Sequence, residues 1–391
     1  MSSQNTPIDT ASPTASPEAT PNVNPDTAPD APTETTPNVP AETQPTSTTP
    51  ESISESIPEP ILEPTPEALT VTPPSPGPDI LSLGELLVEI MRDTVDSPLS
   101  QIGTFLGPYA SGAPAIFTHA AAQLGGHAGF VGVCGNDAFG FQCVNKLQQA
   151  GVDISHIRTA NGHTTGTAFV GYKRDGSRQF VYHMQHSAAA LLNVSDVAED
   201  WLTHCRWLHI TGSSLALSDT AREACYFAAK RAKEVGASIS FDPNLRPELL
   251  SVSEIQALCE PILDLADVVL PSGHEAALLL GLDVNEQDDD GESAARGLLR
   301  RGIETVILKL GDRGCKVYSG SNVHTIDAIS VQEVDPTGAG DCFAAGYAVA
   351  QLSGWGVIDS ARFANVSGAL AVTTQGLMEA NLSRAEVESY L

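Results

Sequence analysis

A break in composition between residues 78 and 79 constrains this chain more than any other feature. Residues 1–78 contain no Lys, Arg, Trp, Tyr or Phe and are dominated by Pro, Thr, Ser, Glu and Ala. Ordering a residue costs roughly 1–2 kcal/mol of backbone entropy alone, and a stretch this poor in large apolar groups cannot bury enough surface to offset it. It reads as a disordered acidic tail over 1–78. Whatever folds must therefore be built from residues 79–391, a span within reach of one large α/β domain.

Beyond the break, apolar runs alternate with amphipathic stretches. Strands are expected at 80–90, 129–133, 207–211, 238–242, 268–271 and 305–310, and helices at 115–124, 138–150, 218–235, 253–265, 276–280, 292–301, 342–352 and 357–374. Several strand candidates are continuous Val/Ile/Leu runs, which suits a parallel sheet covered on both faces. Strand–helix alternation favours a doubly wound α/β sheet. Residues 167–172 and 178–183 break that rhythm, alternating polar and apolar groups about an Asp175-Gly176 turn, and read as a hairpin. With the strand end near 86–91 it would form a small projecting sheet, which reads equally as a lid over a ligand or as an edge decoration.

Charge and cysteine usage narrow the function classes. The tail holds 11 of the 48 acidic residues, so the remainder still carries 37 against 20 Lys and Arg. A surface of that sign argues against a nucleic-acid partner, which needs clustered Lys and Arg. No segment approaches the roughly 18 uninterrupted apolar residues of a membrane span, and the N-terminus lacks the basic-then-apolar order of a secretory signal. Seven Cys with no C-x-x-C pair argue against a zinc site or a disulfide framework and fit a reducing cytoplasm.

The strongest local signal is Asp335-Pro336-Thr337-Gly338-Ala339-Gly340-Asp341, leading into the small-residue run Cys342-Phe343-Ala344-Ala345-Gly346-Tyr347. Pro336 keeps residue 335 extended, and the glycines let the chain turn sharply. Backbone N–H groups at the start of the following helix then favour an anion, and a transferring phosphoryl group needs such donors. Asp341 at the mouth can accept the proton of an attacking hydroxyl. The same motif also reads as a glycine-rich turn with a capping Asp. Two other glycine-rich readings fail on spacing: no Gly-Lys-Ser/Thr occurs, and Phe343 stands where the dinucleotide fingerprint needs its third Gly.

This segment resembles the C-terminal signature of the PfkB-type, ribokinase-like carbohydrate kinases. Gly125-Gly126-His127-Ala128-Gly129-Phe130-Val131-Gly132-Val133-Cys134-Gly135-Asn136-Asp137-Ala138-Phe139-Gly140 resembles the family's N-terminal signature, in the expected order. The resemblance covers 79–391 and implies a three-layer sandwich with a mostly parallel sheet, a β lid from about 86–110 and 167–184, ATP with Mg²⁺, and K⁺. Catalysis would fall to Asp341 with Gly338, Ala339 and Gly340. The nucleotide would meet Thr337, Lys309, Gly311 and Gly314 of the Gly311-Asp312-Arg313-Gly314 turn, and Asn365 near the adenine. Glu275 would organise Mg²⁺ through water, with Ser272 in place of the family's Asn. Asp335, with backbone oxygens of Thr337, Ala371 and Gly376, would hold K⁺, though Ala380 stands where some relatives have a Ser ligand. Some relatives pair lid to lid, which would make the chain a homodimer.

For the sugar, the resemblance implies Glu89 of Gly84-Glu85-Leu86-Leu87-Val88-Glu89, Gly112 and Ala113 of Ser111-Gly112-Ala113-Pro114-Ala115-Ile116, and Arg246 of Asp242-Pro243-Asn244-Leu245-Arg246-Pro247. Arg246 reads equally as a phosphate partner and as a structural partner of Asp242. Ile116, where ribokinases and nucleoside kinases carry Asn, weakens the ribose and nucleoside readings. Gln185 and His186 stand where keto-acid sugar kinases carry the Arg or Lys that suits a carboxylate. The expectation is a neutral ketohexose such as tagatose or fructose. A 2-keto-3-deoxygluconate kinase, a nucleoside kinase and a non-catalytic kinase-fold binder are the alternatives.

Overall fold

In the computed structural model the described residues are 77–391, without 175–176, 198, 246–250 and 283–290. All but the last two residues of the expected tail, the Asp175-Gly176 turn and Arg246 lie outside that set.

Thirteen strands occur among the described residues. They are β1 Ile80–Gly84, β2 Leu87–Arg92, β3 Phe105–Ser111, β4 Ala128–Gly135, β5 Ile157–Ala160, β6 Gly166–Tyr172, β7 Arg178–His183, β8 Trp207–Thr211, β9 Ser238–Asp242, β10 Val268–Val269, β11 Thr305–Lys309, β12 Cys315–Ser319 and β13 Asn322–Ile326. The helices are α1 Ala113–Gln123, α2 Ala138–Gln149, α3 Glu199–His204, α4 Gly212–Leu217, α5 Asp219–Glu234, α6 Val252–Leu263, α7 Gly273–Leu279, α8 Glu292–Arg300, α9 Ala339–Leu352, α10 Val357–Ala371 and α11 Arg384–Glu388.

The main sheet has the order β13-β12-β11-β10-β9-β8-β1-β4-β5. It is parallel from β5 to β11, and β12 and β13 add an antiparallel edge. Every residue of β1, β4 and β8 is buried, as expected of strands sandwiched between helices. Successive side chains feed opposite faces: Ile307 packs into one apolar cluster with α1, α9 and α10, while Val306 and Leu308 pack into another with α5, α6 and α8. Burying each such Ile, Leu or Val is worth roughly 1.5–3 kcal/mol. The three-layer expectation is met.

The single strand expected over 80–90 is two strands in two sheets. Gly84 has φ +148°, and a Cβ there would stand 1.9 Å from Ser214 Oγ, so the close approach to α4 requires glycine. The chain leaves the main sheet here and enters a second one of order β3-β2-β6-β7, in which β2 pairs antiparallel with β3 and parallel with β6. The expected hairpin strands are β6 and β7, antiparallel from Thr167↔His183 to Tyr172↔Arg178. Strands β3, β5, β12 and β13 were not anticipated. Helix α9 begins at Ala339 rather than 342, directly after Gly338 in the left-handed region at φ 84°.

Candidate active site

The two sheets enclose a crevice of about 1450 Å³ at the carboxyl ends of the parallel strands, where ligands bind in open α/β sheets. A single small-molecule pocket usually measures about 300–1,000 Å³, so this volume has room for two ligands. Of the residues singled out from sequence, Glu89, Gly112, Ala113, Glu275, Lys309, Gly311, Gly314, Thr337, Gly338, Ala339, Gly340, Asp341 and Asn365 all line it. Asp335 does not line it; its carboxylate lies behind the loop, taking the N–H groups of Thr337 and Gly376 and the hydroxyl of Tyr172, each at 3.0 Å.

The loop before α9 is the centre of the crevice. The N–H of Thr337 is taken by Asp335, so the run of unclaimed donors starts one residue later than the motif suggests. Among the described residues no acceptor takes the N–H groups of Gly338, Ala339 or Gly340, and the first bond of the helix runs from Cys342 N–H to Gly338 O at 3.0 Å. These are the orphan donors every helix start leaves, here opening on a cavity. Asp341 lies in the first turn and is 7% exposed.

Lys309 lies at the end of β11. Its ammonium donates to Asp242, at the end of β9; the Asp242 side chain is 3% exposed and that of Lys309 16%. Burial opposes its charge, but the carboxylates of Asp242 and Glu275 outweigh that and hold its pKa above the ordinary lysine value. A Cβ on Gly340 would stand 3.2 Å from Lys309 Nζ, which puts this cation beside the free N–H groups. Glu275 is heavily engaged: Oε2 accepts from Ser272 N–H and Oγ in a capping box, and Oε1 accepts from Leu245 N–H. Asn365, on α10, donates to Asp327 O at 2.9 Å.

On the opposite side, Glu89 of β2 lies 3.2 Å from the hydroxyl of Ser111. Glu85, at the junction of the two sheets, also faces the crevice, and the hydroxyls of Ser213 and Ser214 lie 2.6 and 2.9 Å from its two oxygens. Gly112, φ +115°, lets α1 begin against this junction: a Cβ would stand 2.3 Å from Glu85 O. The alternate β7 residues Arg178, Phe180 and Tyr182 face the crevice, with the two rings stacked at 5.2 Å. Gln185 and His186 follow them.

Glu85, Ser213, Asp242 and the Arg178-Phe180-Tyr182 ladder were missed from sequence. The period-two pattern of β7 was visible, but which of its faces meets a ligand depends on lid placement. Asp242 and Lys309 are 67 residues apart and meet only through the strand order.

No cluster of three or more His, Cys, Asp or Glu suited to a metal ion occurs among the described residues. The acid groups of Asp242, Glu275 and Asp341 nevertheless face the same crevice. That donor set suits Mg²⁺, which keeps several waters and is held through one or two carboxylates together with ligand phosphates. Asp335 already accepts three hydrogen bonds, so a monovalent ion behind the loop would rest mainly on backbone oxygens.

Residues 78–384 match the pfkB family carbohydrate kinase. The chain is 34% identical over 311 residues to a fructokinase of Escherichia coli, covering 77% of this chain and 98% of that one. A solved Escherichia coli structure in complex with ATP and Mg²⁺ is 37% identical, with a TM-score of 0.73 over 80% of this chain and 98% of that one. The fructokinase of Vibrio cholerae O395, bound to fructose, ADP and calcium, is 30% identical, with a TM-score of 0.69 over 80% and 99% of the two chains. A glycine-turned helix start with unclaimed donors, a carboxylate beside it and a second sheet across the crevice thus occur in a chain that belongs to the pfkB family of carbohydrate kinases.

Proposed function

We propose that this protein transfers the terminal phosphoryl group of ATP to a hydroxyl of a neutral ketohexose of the fructose or tagatose kind. The observation that carries the reading is the loop 338–341: three backbone donors without a protein acceptor among the described residues, next to Asp341 and Lys309, on a crevice with room for two ligands. In this role Asp341 accepts the proton of the acceptor hydroxyl as its oxygen bonds to phosphorus and the bond to the ADP oxygen breaks. The N–H groups of 338–340 and the ammonium of Lys309 meet the charge that gathers on the phosphoryl oxygens. Asp242 and Glu275 are the carboxylates that would hold Mg²⁺, Glu275 through water, and the ion would supply further neutralisation of the phosphates when bound. Asp335 and the neighbouring backbone oxygens are where K⁺ would bind.

The sugar side favours a neutral acceptor. Glu85 and Glu89 both face it, and a substrate carboxylate beside them would meet like charge, while Arg178 of the same lining is engaged with Thr337. Support also comes from the relative crystallised with fructose and ADP. The seven cysteines are all free and buried, in keeping with a cytoplasmic enzyme, and residues 79–391 form the catalytic domain in this reading. The outer lid strands β3 and β7 are the edges at which a second copy would pair. An ATP-coupled assay over fructose, tagatose, 2-keto-3-deoxygluconate, ribose and adenosine is the test. Turnover is expected on a ketohexose and lost about 10²–10⁴-fold in Asp341→Asn with nucleotide affinity kept; preference for the sugar acid or for adenosine, or wild-type turnover in the variant, overturns it.

A further inference from the structure

The contacts between the lid sheet and the loop 335–341 converge on one point. Tyr172 is the last residue of β6, and its hydroxyl donates to Asp335 Oδ1 at 3.0 Å while lying 2.8 Å from Thr337 Oγ1. A phenol has one proton. With that proton on Asp335, the Thr337 hydroxyl must donate to Tyr172, and Thr337 Oγ1 in turn accepts from Arg178 of β7 at 3.3 Å. Every proton has a place in a continuous run from Arg178 through Thr337 and Tyr172 to the Asp335 carboxylate. The third lid strand reaches the same node. A Cβ on Gly376, whose N–H donates to Asp335 Oδ2, would stand 2.5 Å from the ring of Tyr109 on β3. Arg178 also lies over the Phe180 ring, its guanidinium carbon 6.0 Å from the centroid, so the contact with Thr337 sits on the lid's crevice face.

We propose that Tyr172 is a positioning residue for phosphoryl transfer, fixing the loop 335–341 through Asp335 and Thr337 so that the N–H groups of 338–340 are aligned while the lid covers the crevice. Asp335 holds the Thr337 N–H and thereby the turn into left-handed Gly338; withdrawing one of its donors loosens that turn. A slack loop misplaces its donors relative to the transferring group, and misplacement by about 1 Å can cost about 10²-fold in rate. The consequence for turnover rests on the kinase reading above, whereas the order of the loop does not.

The test is Tyr172→Phe in the full chain, read by amide hydrogen exchange and by steady-state kinetics on the sugar the wild-type protein phosphorylates. Exchange at Thr337 and Gly376, the two amides bonded to Asp335, should quicken about 10-fold or more while β4 and β8 stay as protected as in wild type. The kcat should fall about 10–100-fold with the sugar KM changed by less than about 3-fold. Arg178→Gln, at the exposed end of the same run, should show the same pattern at about 3–10-fold, with Arg178→Lys in between; it also serves if Tyr172→Phe fails to fold. Unchanged exchange at Thr337 and Gly376 in the folded variants, or a loss confined to KM, overturns the proposal. If the wild-type protein phosphorylates no sugar, the kinase reading fails, and the exchange data alone decide whether Tyr172 orders the loop.

Discussion

The buried pair of Lys309 and Asp242 permits a quantitative test that separates folding from catalysis. Lys309→Met removes the cation while leaving a side chain of similar length, and strands the Asp242 carboxylate, whose side chain is 3% exposed. Breaking one partner of such a pair costs about 3–5 kcal/mol. An unfolding entropy of about 2.1 cal/mol/K per residue over the roughly 313 residues beyond the tail gives about 0.65 kcal/mol/K, so the melting temperature should fall by about 5–8 °C. Adding Asp242→Asn removes the stranded charge, and most of that loss should return; a double-mutant cycle followed by thermal and urea melts should show coupling of about 2 kcal/mol or more. On the kinase reading, turnover should not return with stability, because Lys309 Nζ lies where a Gly340 Cβ would be 3.2 Å away, beside the N–H groups of 338–340. Two results would refute the reasoning: additive single-variant effects within about 0.5 kcal/mol, or a double variant that regains wild-type kcat.

Further outcomes can be checked with the same preparations. Gly338→Ala places an L residue at φ 84° with its Cβ 3.4 Å from Ile116 Cγ2; the left-handed conformation should cost about 1–2 kcal/mol in a urea melt and lower kcat more than either KM. Glu89→Gln should raise the sugar KM by about 10-fold, one charge-assisted hydrogen bond, with the ATP KM unchanged; equal shifts in both would place Glu89 outside the sugar site. His209 is fully buried, with burial lowering its pKa to about 3, so between pH 6.5 and 3 the unfolded chain binds a proton that the folded chain excludes. Stability should therefore fall on acidification by about 1.4 kcal/mol per unit below pH 6.5 from this group, and His209→Asn should flatten that slope. Removing residues 1–78 should leave kcat and both KM values within about twofold of the full chain, consistent with a stretch too polar to join a core.

What the sequence disclosed and what it withheld follow a physical division. The parallel strands were legible because burial on both faces demands unbroken apolar runs, as in Trp207–Thr211, and the loop 338–341 was legible because glycine has few substitutes at a left-handed turn. The split of the run at 80–90 was not. It depends on Ser214 pressing against Gly84 from 130 residues away, and the apolar pattern on both sides of Gly84 is the same. The early start of α9 was hidden by Gly340 inside its first turn, a residue that local propensity assigns to a loop. Cys315–Ser319 and Asn322–Ile326 carry a strand-like alternation around Gly320-Ser321, a turn signal that sequence reading could have used. The Lys309–Asp242 pair and the Tyr172–Asp335 contact are products of strand order and lid placement, and no local pattern encodes them. For Arg246 the expectation stands on sequence resemblance alone.

The kink at Gly84 leaves Glu85 at the junction with the main sheet and carries Glu89 into the second sheet. Glu85 is pinned by Ser213 and Ser214 to the helix that follows β8, while Glu89 rides four residues further on, within the projecting sheet. A polyol whose hydroxyls engage both acids would therefore act as a strut across the pivot, and its span would fix the angle at which the cover rests. Epimers that present those hydroxyls at another spacing would still enter the cleft but would leave it ajar. Selectivity among sugars of equal size would then be exercised through the geometry of closure, in kcat more than in affinity.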